Sequence, residues 1–296
     1  MKKIKIYVIG LLLFLITPAA YSQLNPMGSI YYQNQFLANP ALAGLDTVVN
    51  LNAAFKTQWV NINGAPKTQY LTADFALKNK KVGLGLLFYN ESAGVINRTR
   101  ATLTYAYHLK LNNDSSSLDF GLSAGIMNEW IDFGKAQADL SDDVINSFND
   151  RRLYFDGDFG IAYRSEKLTL QASLPNLKRF FKRDAVRNIV DRSIYFVAAS
   201  YKIKTDQVLN SIEPKVIYRG VENYDGILDV GSNFQFLQDK FTLSGIYHST
   251  NSFTIGAGAN YNNKLGILFQ YTTNTSKMQS YSNGEFELGL RFNFKR

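Results

Sequence analysis

Large apolar residues alternate with small or polar residues along most of the chain after residue 48. In the stretch 101–109 one face carries Ala101, Leu103, Tyr105, Tyr107 and Leu109, and the other carries Thr102, Thr104, Ala106 and His108. The stretches 82–89, 118–126 and 253–261 follow the same period. Successive side chains of a β-strand point to opposite faces, so a period of two residues predicts strands. The pattern therefore indicates an all-β protein.

The two faces of these strands differ in a way that is unusual for a soluble sheet. The apolar face is rich in aromatic residues, and the other face is rich in glycine, serine, threonine and asparagine; the chain holds 18 tyrosines, 21 phenylalanines and 21 glycines. A transmembrane β-barrel has an apolar outer face, a polar lumen and aromatic girdles at both membrane interfaces. We therefore predict a transmembrane antiparallel outer-membrane β-barrel.

The lengths of the connections support a barrel. We predict about fourteen strands, because the alternation restarts that often, although strand boundaries read from sequence shift by a few residues. The predicted strands begin near residues 47, 67, 81, 98, 117, 153, 167, 192, 210, 225, 239, 253, 264 and 285. Connections after even-numbered strands are short, and those after odd-numbered strands are mostly longer. Outer-membrane barrels have short periplasmic turns and longer outside loops, so both termini are expected in the periplasm.

The first predicted outside loop follows the first strand. Trp59 is expected to end that strand on the lipid side, in the outer aromatic girdle, and residues 61–66 are expected to form the loop. Gly64 allows backbone conformations that other residues avoid in a turn. Pro66 has no amide hydrogen, so it interrupts the ladder of hydrogen bonds between the strands just before the second strand.

The N-terminus has the order of a secretory signal peptide. A basic start is followed by an apolar run and then by small residues, which predicts a signal over 1–22 with cleavage between Ser22 and Gln23. Residues 23–46 alternate poorly and are expected to form an irregular or helical segment, either in the periplasm or in the lumen. The barrel is predicted to span 47–296. The chain has no cysteine, so disulfides do not stabilise it.

The chain has few candidates for catalytic or metal-binding residues. His108 and His248 are the only histidines, and both fall on predicted lumen faces of distant strands, without the spacing of a metal site. The acidic stretch 139–150 lacks the register of a calcium loop. We predict no enzymatic activity, no catalytic residue, no metal and no cofactor. The net charge of +8 is modest, and an exported protein rarely meets nucleic acid, so nucleic-acid binding is not expected either.

The loop at 174–192 is the most functional-looking connection because basic side chains surround two phenylalanines. Its candidate contacts with lipid A phosphates or with a partner are Lys178, Arg179, Phe180, Phe181, Lys182 and Arg183. A plain solvated basic loop remains the alternative.

The last predicted strand carries an order of residues that resembles the C-terminal signal read by the outer-membrane assembly machinery. Gly289 is followed by Phe292 and Phe294 at the spacing of that signal. Lys295 and Arg296 extend beyond it. An ordinary amphipathic strand is the alternative.

Three stretches together resemble the PorP/SprF family of type IX secretion system outer-membrane proteins, which is found in Bacteroidetes. These stretches are 31–44, 58–69 and 282–292. The family motif is carried by Asn39, Pro40, Ala41, Gly44, Gln58, Trp59, Gly64, Ala65 and Pro66. The chain departs from the family near its end, where residues 283–287 replace a run that usually contains a histidine.

The resemblance implies a non-enzymatic barrel that helps to deliver secreted surface proteins, such as adhesins used in gliding, or to attach them at the cell surface. It also implies periplasmic lipoproteins of the same system and the C-terminal signal domain of the cargo as partners, with the outer membrane as location. The alternative is a passive porin or small-solute transporter. A porin should show rings of charge in its lumen, whereas the predicted inner face has only scattered charges, at Lys56, Arg164 and Lys202.

Overall fold

The computed structural model describes residues 28–78, 80–111, 115–132, 134, 153–178, 193–221, 226–273 and 283–294. The first half of the described chain contains strands β1 (Val49–Gln58), β2 (Lys67–Ala76), β3 (Val82–Ala93), β4 (Ile96–Leu111), β5 (Ser116–Ile131), β6 (Leu153–Ser165) and β7 (Leu168–Leu174). The second half contains β8 (Ser193–Tyr201), β9 (Ile203–Lys204), β10 (Leu209–Val221), β11 (Ile227–Phe236), β12 (Phe241–His248), β13 (Ser252–Tyr261), β14 (Leu265–Thr272) and β15 (Glu285–Phe294).

The sheet closes on itself. Each strand pairs antiparallel with its neighbours, and β15 pairs with β1 from Glu285 opposite Gln58 to Phe294 opposite Val49. Fourteen strands form the ring, and the two-residue β9 adds one extra strand beside β10. The predicted barrel is confirmed, and each predicted strand start lies within two residues of an observed one. Only β9, after a break at Lys202, was not predicted.

The two faces of the wall are those that the alternation predicts. On β4 the outward Leu103 and Tyr105 are 70% and 54% exposed, whereas the inward Thr102 and Thr104 are buried. Such a continuous apolar outer surface is favourable in lipid rather than in water. Among the residues with described positions, no helix is long and apolar enough to span a membrane.

The lumen contains the start of the described chain. Residues 28–44, called here the plug segment, form three short 3-10 turns, at Ile30–Tyr32, Gln35–Leu37 and Pro40–Leu42. The hydrophobic core lies between this segment and the wall rather than between two sheets. Its largest cluster contains Tyr31, Tyr32, Ala38, Phe196, Ala198, Ile217 and Ile246.

Strand β1 ends at Gln58, one residue before the predicted end at Trp59. The Trp59 amide still donates to the Gly284 carbonyl at 2.9 Å, in register with the pairing of β1 and β15, and its left-handed backbone (φ 49°) begins the turn. The connection then closes through the Gln58 amide and the Pro66 carbonyl at 3.0 Å. Gly64 has φ 76°, a conformation that glycine adopts without steric cost.

Candidate functional site

The plug segment crosses the lumen from one end of the barrel to the other. We call the end that carries the longer connections, such as 132–152, the loop end, and the opposite end the turn end. The first plug residues contact Glu287, which lies near the loop end of β15. The last, Gly44, donates its amide to Asp74 at 3.0 Å, near the turn end of β2. The segment therefore runs from the loop end to the turn end.

A single carboxylate on the last strand holds the start of the plug segment. Glu287 accepts hydrogen bonds from the backbone amides of Ser29 at 2.6 Å and of Ile30 at 3.0 Å. The Ser29 hydroxyl also lies 3.1 Å from that of Thr254 on β13. A carboxylate that accepts two amides forms charge-assisted bonds, which are stronger than neutral ones. Gly289, on the same strand, leaves room for the Ile30 side chain, because a Cβ there would lie 2.6 Å from Ile30 Cδ1.

An ion cluster lies beside this anchor. Asp229, which is fully buried, accepts a hydrogen bond from Arg219 Nε at 3.0 Å and contacts His248 Nδ1 at 2.7 Å. The Tyr31 hydroxyl of the plug segment also donates to Asp229. His248 Nε2 lies 2.7 Å from the Thr254 hydroxyl. The cluster therefore links strands β10, β11 and β12, and through Thr254 also β13, to the plug segment.

Lys215 holds the next plug residue. Its ammonium donates to the Tyr32 carbonyl at 3.1 Å and lies 4.9 Å from the centroid of the Tyr32 ring, while the Tyr32 hydroxyl donates to the Lys215 carbonyl at 2.8 Å. The hydroxyls of Tyr31 and Tyr32 therefore both act as donors to the wall.

A second cluster holds the opposite end of the plug segment. Asp119 contacts His108 Nδ1 at 2.8 Å and the Arg164 guanidinium at 2.6 Å, and His108 Nε2 lies 3.1 Å from the Ala43 carbonyl. Both histidines lie in the lumen, as predicted. Their partners were missed, although each histidine faces its aspartate directly across two paired strands.

The lumen wall carries far more charge than predicted. Besides Lys56, Arg164 and the partners above, two buried arginines on β4 form ion pairs. Arg98 contacts Glu91 and Glu129, and Arg100 contacts Asp156 and Asp158, at 2.7 to 3.5 Å. The expectation of scattered charge was therefore wrong. Arg98 and Arg100 occupy the same alternate positions of β4 as the inward Thr102, so the alternation itself places them on the inner face.

The basic connection 175–192 begins by folding back on β6. Asp156 accepts from the Lys178 amide at 3.1 Å, and Asp158 accepts from the Asn176 amide at 3.0 Å. The Lys178 ammonium lies 3.8 Å from the centroid of the Tyr154 ring. The other candidate contacts, Arg179, Phe180, Phe181, Lys182 and Arg183, lie outside the described residues, as do Ser22 and Gln23.

Lumen-facing glycines make room for the N-terminal part of the family motif. A Cβ at Gly83, Gly121 or Gly160 would lie only 2.0 to 2.2 Å from plug atoms. Those atoms are the Ala43 carbonyl oxygen, the Ala41 amide nitrogen and Asn39 Oδ1, respectively. The glycine-rich inner face is therefore the sequence signal of a tightly fitted plug segment.

The first motif residues fix the path of the plug segment. Asn39 Oδ1 accepts from the Ala41 amide at 3.0 Å, and its Nδ2 donates to the carbonyls of Ile161 and Ala172 at 3.2 and 3.3 Å. Pro40 occupies the first position of the turn that Asn39 caps. Gly44 has φ 65°, where a Cβ would meet the Phe75 carbonyl oxygen at 2.4 Å.

The remaining motif residues lie at the loop end of β1. Gln58 is buried and donates to Glu285 on β15 at 2.7 Å, while Ala65 donates its amide to the Ile62 carbonyl at 3.1 Å. On β15 Gly289 faces the plug segment, and Phe292 and Phe294 point outward, 39% and 52% exposed. The assembly signal at Gly289, Phe292 and Phe294 remains a prediction.

Comparison with known proteins identifies the family. A family model described as "Type IX secretion system membrane protein PorP/SprF" matches residues 20–292. The chain belongs to the PorP/SprF family. As a PorP/SprF protein it is a membrane component of type IX secretion. A search of curated proteins found no match.

Solved structures show the fold of this PorP/SprF protein. The CymD monoaromatic hydrocarbon channel matches 91% of the chain and 93% of its own length, with a TM-score of 0.50 and 10% identity. The Acinetobacter baumannii outer membrane protein Omp33 matches 86% of the chain and 100% of its own length, with a TM-score of 0.47 and 7% identity. At 10% identity the match to CymD shows only the fold, that of an outer-membrane β-barrel.

Proposed function

We propose that this PorP/SprF protein helps to deliver secreted proteins to the cell surface or to attach them there, as a membrane-embedded docking component rather than as an open pore. The observation that carries the proposal is the plug segment, which lies across the lumen and is bonded to its wall. A pore needs a continuous aqueous path, whereas residues 28–44 bind wall residues of strands from β2 to β15. A component that presents surfaces at its two ends needs no such path.

The proposed partners follow from the family and from the two ends of the barrel. Periplasmic lipoproteins of the type IX system are expected at the turn end, and the C-terminal signal domain of adhesin-type cargo is expected to meet the protein during its passage to the surface. The basic residues from Lys178 to Arg183 are proposed contacts for lipid A phosphates or for a partner at the loop end, because phosphate groups attract clustered lysines and arginines.

The orientation of the barrel gives a direct prediction. Because the chain has no cysteine, a cysteine introduced at Asn63, in the first loop-end connection, is a unique label site, and one introduced at Asn262, in a turn-end connection, is its matched control. On intact cells an impermeant thiol reagent is expected to label Asn63→Cys and not Asn262→Cys, and to label both after lysis. The opposite pattern would mean that the loop end faces the periplasm.

The delivery proposal is tested by removing the protein from its cells. Proteins shed from, or labelled on, the cell surface would be compared by mass spectrometry between wild type, a deletion strain and the complemented strain. We expect one or a few large secreted proteins to disappear from the surface and to return on complementation. An unchanged set of surface proteins together with slower uptake of small solutes would instead favour the porin alternative.

A further inference from the structure

A vestibule opens at the turn end beside strands β11 to β15. It consists of a mouth of about 200 Å³ and an inner part of about 80 Å³, and the inner part lies between the plug segment, strands β11 to β15, and β1 and β2. The two parts adjoin each other, because they share Gln235, Asn260, Gly266 and Arg291. Since a single water needs only about 10 to 15 Å³ of such space, the mouth has room for a small organic molecule.

Arg291 differs from the other lumen cations. Six lysines and arginines of the lumen wall lie 2.6 to 3.6 Å from a carboxylate, namely Lys56, Arg98, Arg100, Arg164, Lys215 and Arg219. The guanidinium of Arg291 donates only to neutral acceptors among the described residues, Asn52 Oδ1 at 3.1 Å and the Gln33 carbonyl at 3.4 Å. A half-buried cation with no carboxylate within ion-pair distance among the described residues favours binding of an anion.

The acids nearest to Arg291 do not neutralise it at close range. Asp74 and Asp46 attract it only from beyond ion-pair distance, and the Asp74 carboxylate already accepts from the Gly44 amide at 3.0 Å and from Asn50 Nδ2 at 3.2 Å. Asp239 lines the mouth of the vestibule. The turns at the mouth also carry Lys240 and Lys264, which leaves the mouth with a small excess of positive charge.

The rest of the lining is rich in amides. Asn260, Asn263 and Asn293 line the mouth beside Gln235. Asn293 Nδ2 donates to the Asn263 carbonyl at 2.9 Å, whereas its Oδ1 is buried and has no hydrogen-bond donor among the described residues. A buried acceptor without a donor costs free energy, so this oxygen favours a ligand that donates a hydrogen bond.

We propose that the vestibule binds a monocarboxylate that also carries an N–H or O–H donor, with the carboxylate on Arg291 and the donor on Asn293 Oδ1. Two features disfavour a phosphate dianion: the site has a single guanidinium, that of Arg291, and Asp239 lies at the mouth. An acylated amino acid or peptide terminus and a sugar acid share the required chemistry. The inference does not depend on the role in secretion, because it concerns a ligand that enters from the turn end.

Binding of defined probes to the purified full-length protein in detergent tests the site. The probes are N-acetylglycylglycine, D-glucuronate and the uncharged N-acetylglycylglycinamide. Their binding is measured by isothermal titration calorimetry. We expect at least one of the two carboxylates to bind and the amide to bind about tenfold more weakly or not at all, since a charge-assisted bond to arginine is lost. Binding of N-acetylglycylglycine would indicate a peptide or acylated amino acid as the ligand, and binding of D-glucuronate would indicate a sugar acid. Equal binding of the amide, or no binding of either acid, overturns the proposal.

Variants of the lining residues connect binding to the site. Arg291→Gln is expected to weaken carboxylate binding about tenfold, Arg291→Lys to weaken it less because the charge is kept, and Asp239→Asn to strengthen it. Arg291 also donates to the Gln33 carbonyl, so substitutions of Arg291 also remove a contact with the plug segment.

A second variant leaves the contacts of the plug segment intact. Asn293→Ala is expected to weaken binding about threefold, by the loss of one hydrogen bond. Affinity unchanged in both Arg291→Gln and Asn293→Ala would exclude this site.

Discussion

Deletion of residues 28–44 is expected to turn a closed barrel into a conducting one. Rings of sixteen to eighteen strands leave an aqueous channel when nothing fills them, and a ring of fourteen strands lies only slightly below that size. In planar lipid bilayers the deletion variant should conduct roughly tenfold more than the wild-type protein, because the wall itself is wide enough for hydrated ions. Single-channel recording measures the difference directly.

A reversible lock provides the control for this experiment. The hydroxyls of Ser29 and Thr254 lie 3.1 Å apart, and the chain has no other cysteine to compete, so the pair Ser29→Cys and Thr254→Cys can form a disulfide between plug and wall. In full-length protein, Glu287→Ala removes the acceptor of two plug amides and is expected to cause intermittent opening. The oxidised lock should suppress these openings, and a reductant should restore them. A folded deletion variant with wild-type conductance would show that the plug segment does not close the lumen.

Replacement of Asp229 by alanine is expected to cause the largest loss of stability of any single substitution in the lumen. The change leaves the fully buried Arg219 and His248 without their carboxylate and removes the acceptor of the Tyr31 hydroxyl. Breaking a buried ion pair on one side costs about 3 to 5 kcal/mol, because an uncompensated charge remains in the protein. Urea titration of the barrel in lipid vesicles, followed by tryptophan fluorescence, measures the free energy of unfolding.

Two further variants separate lost charge from other effects of the substitution. Asp229→Asn keeps the shape and part of the hydrogen bonding, so its loss should be smaller than that of Asp229→Ala. Asp239→Asn makes the same chemical change at an exposed turn residue with φ 62°, which asparagine tolerates, and should alter the free energy of unfolding by less than about 0.5 kcal/mol. If both Asp229 variants lose no more free energy of unfolding than Asp239→Asn does, the cluster does not stabilise the barrel.

The sequence predicts the wall of the barrel well because the membrane imposes a simple rule on it. Each strand must present apolar residues to lipid at every second position, so Leu103 and Ile255 indicate the outer face without knowledge of any other strand. The same rule does not show where a strand ends. Strand β1 ends at Gln58 because Trp59 adopts a left-handed backbone (φ 49°), although its amide still donates to Gly284 in register with β15. The alternation of apolar and polar residues does not report such a change of backbone conformation.

The interior is harder to predict because its interactions depend on strand register. Asp119 and His108 meet only because β4 and β5 pair with those residues opposite each other, and a shift of one residue would separate them. The path of the plug segment depends on cavities left by Gly83, Gly121 and Gly160, on three different strands. The glycine-rich inner face was visible in the sequence, but its purpose becomes apparent only when the plug segment lies against it.

The hydrogen bond between the Ser29 amide and Glu287 joins residues separated by 258 positions, almost the length of the chain. Glu287 belongs to β15, the strand that closes the ring against β1. The earliest and latest parts of the described barrel therefore meet in one contact, which cannot form before β15 has been made. Contacts of such long range slow folding. The plug segment consequently gains its anchor at the loop end only in the last stage of biogenesis, whereas its contacts with Asp74 on β2 and His108 on β4 can form earlier.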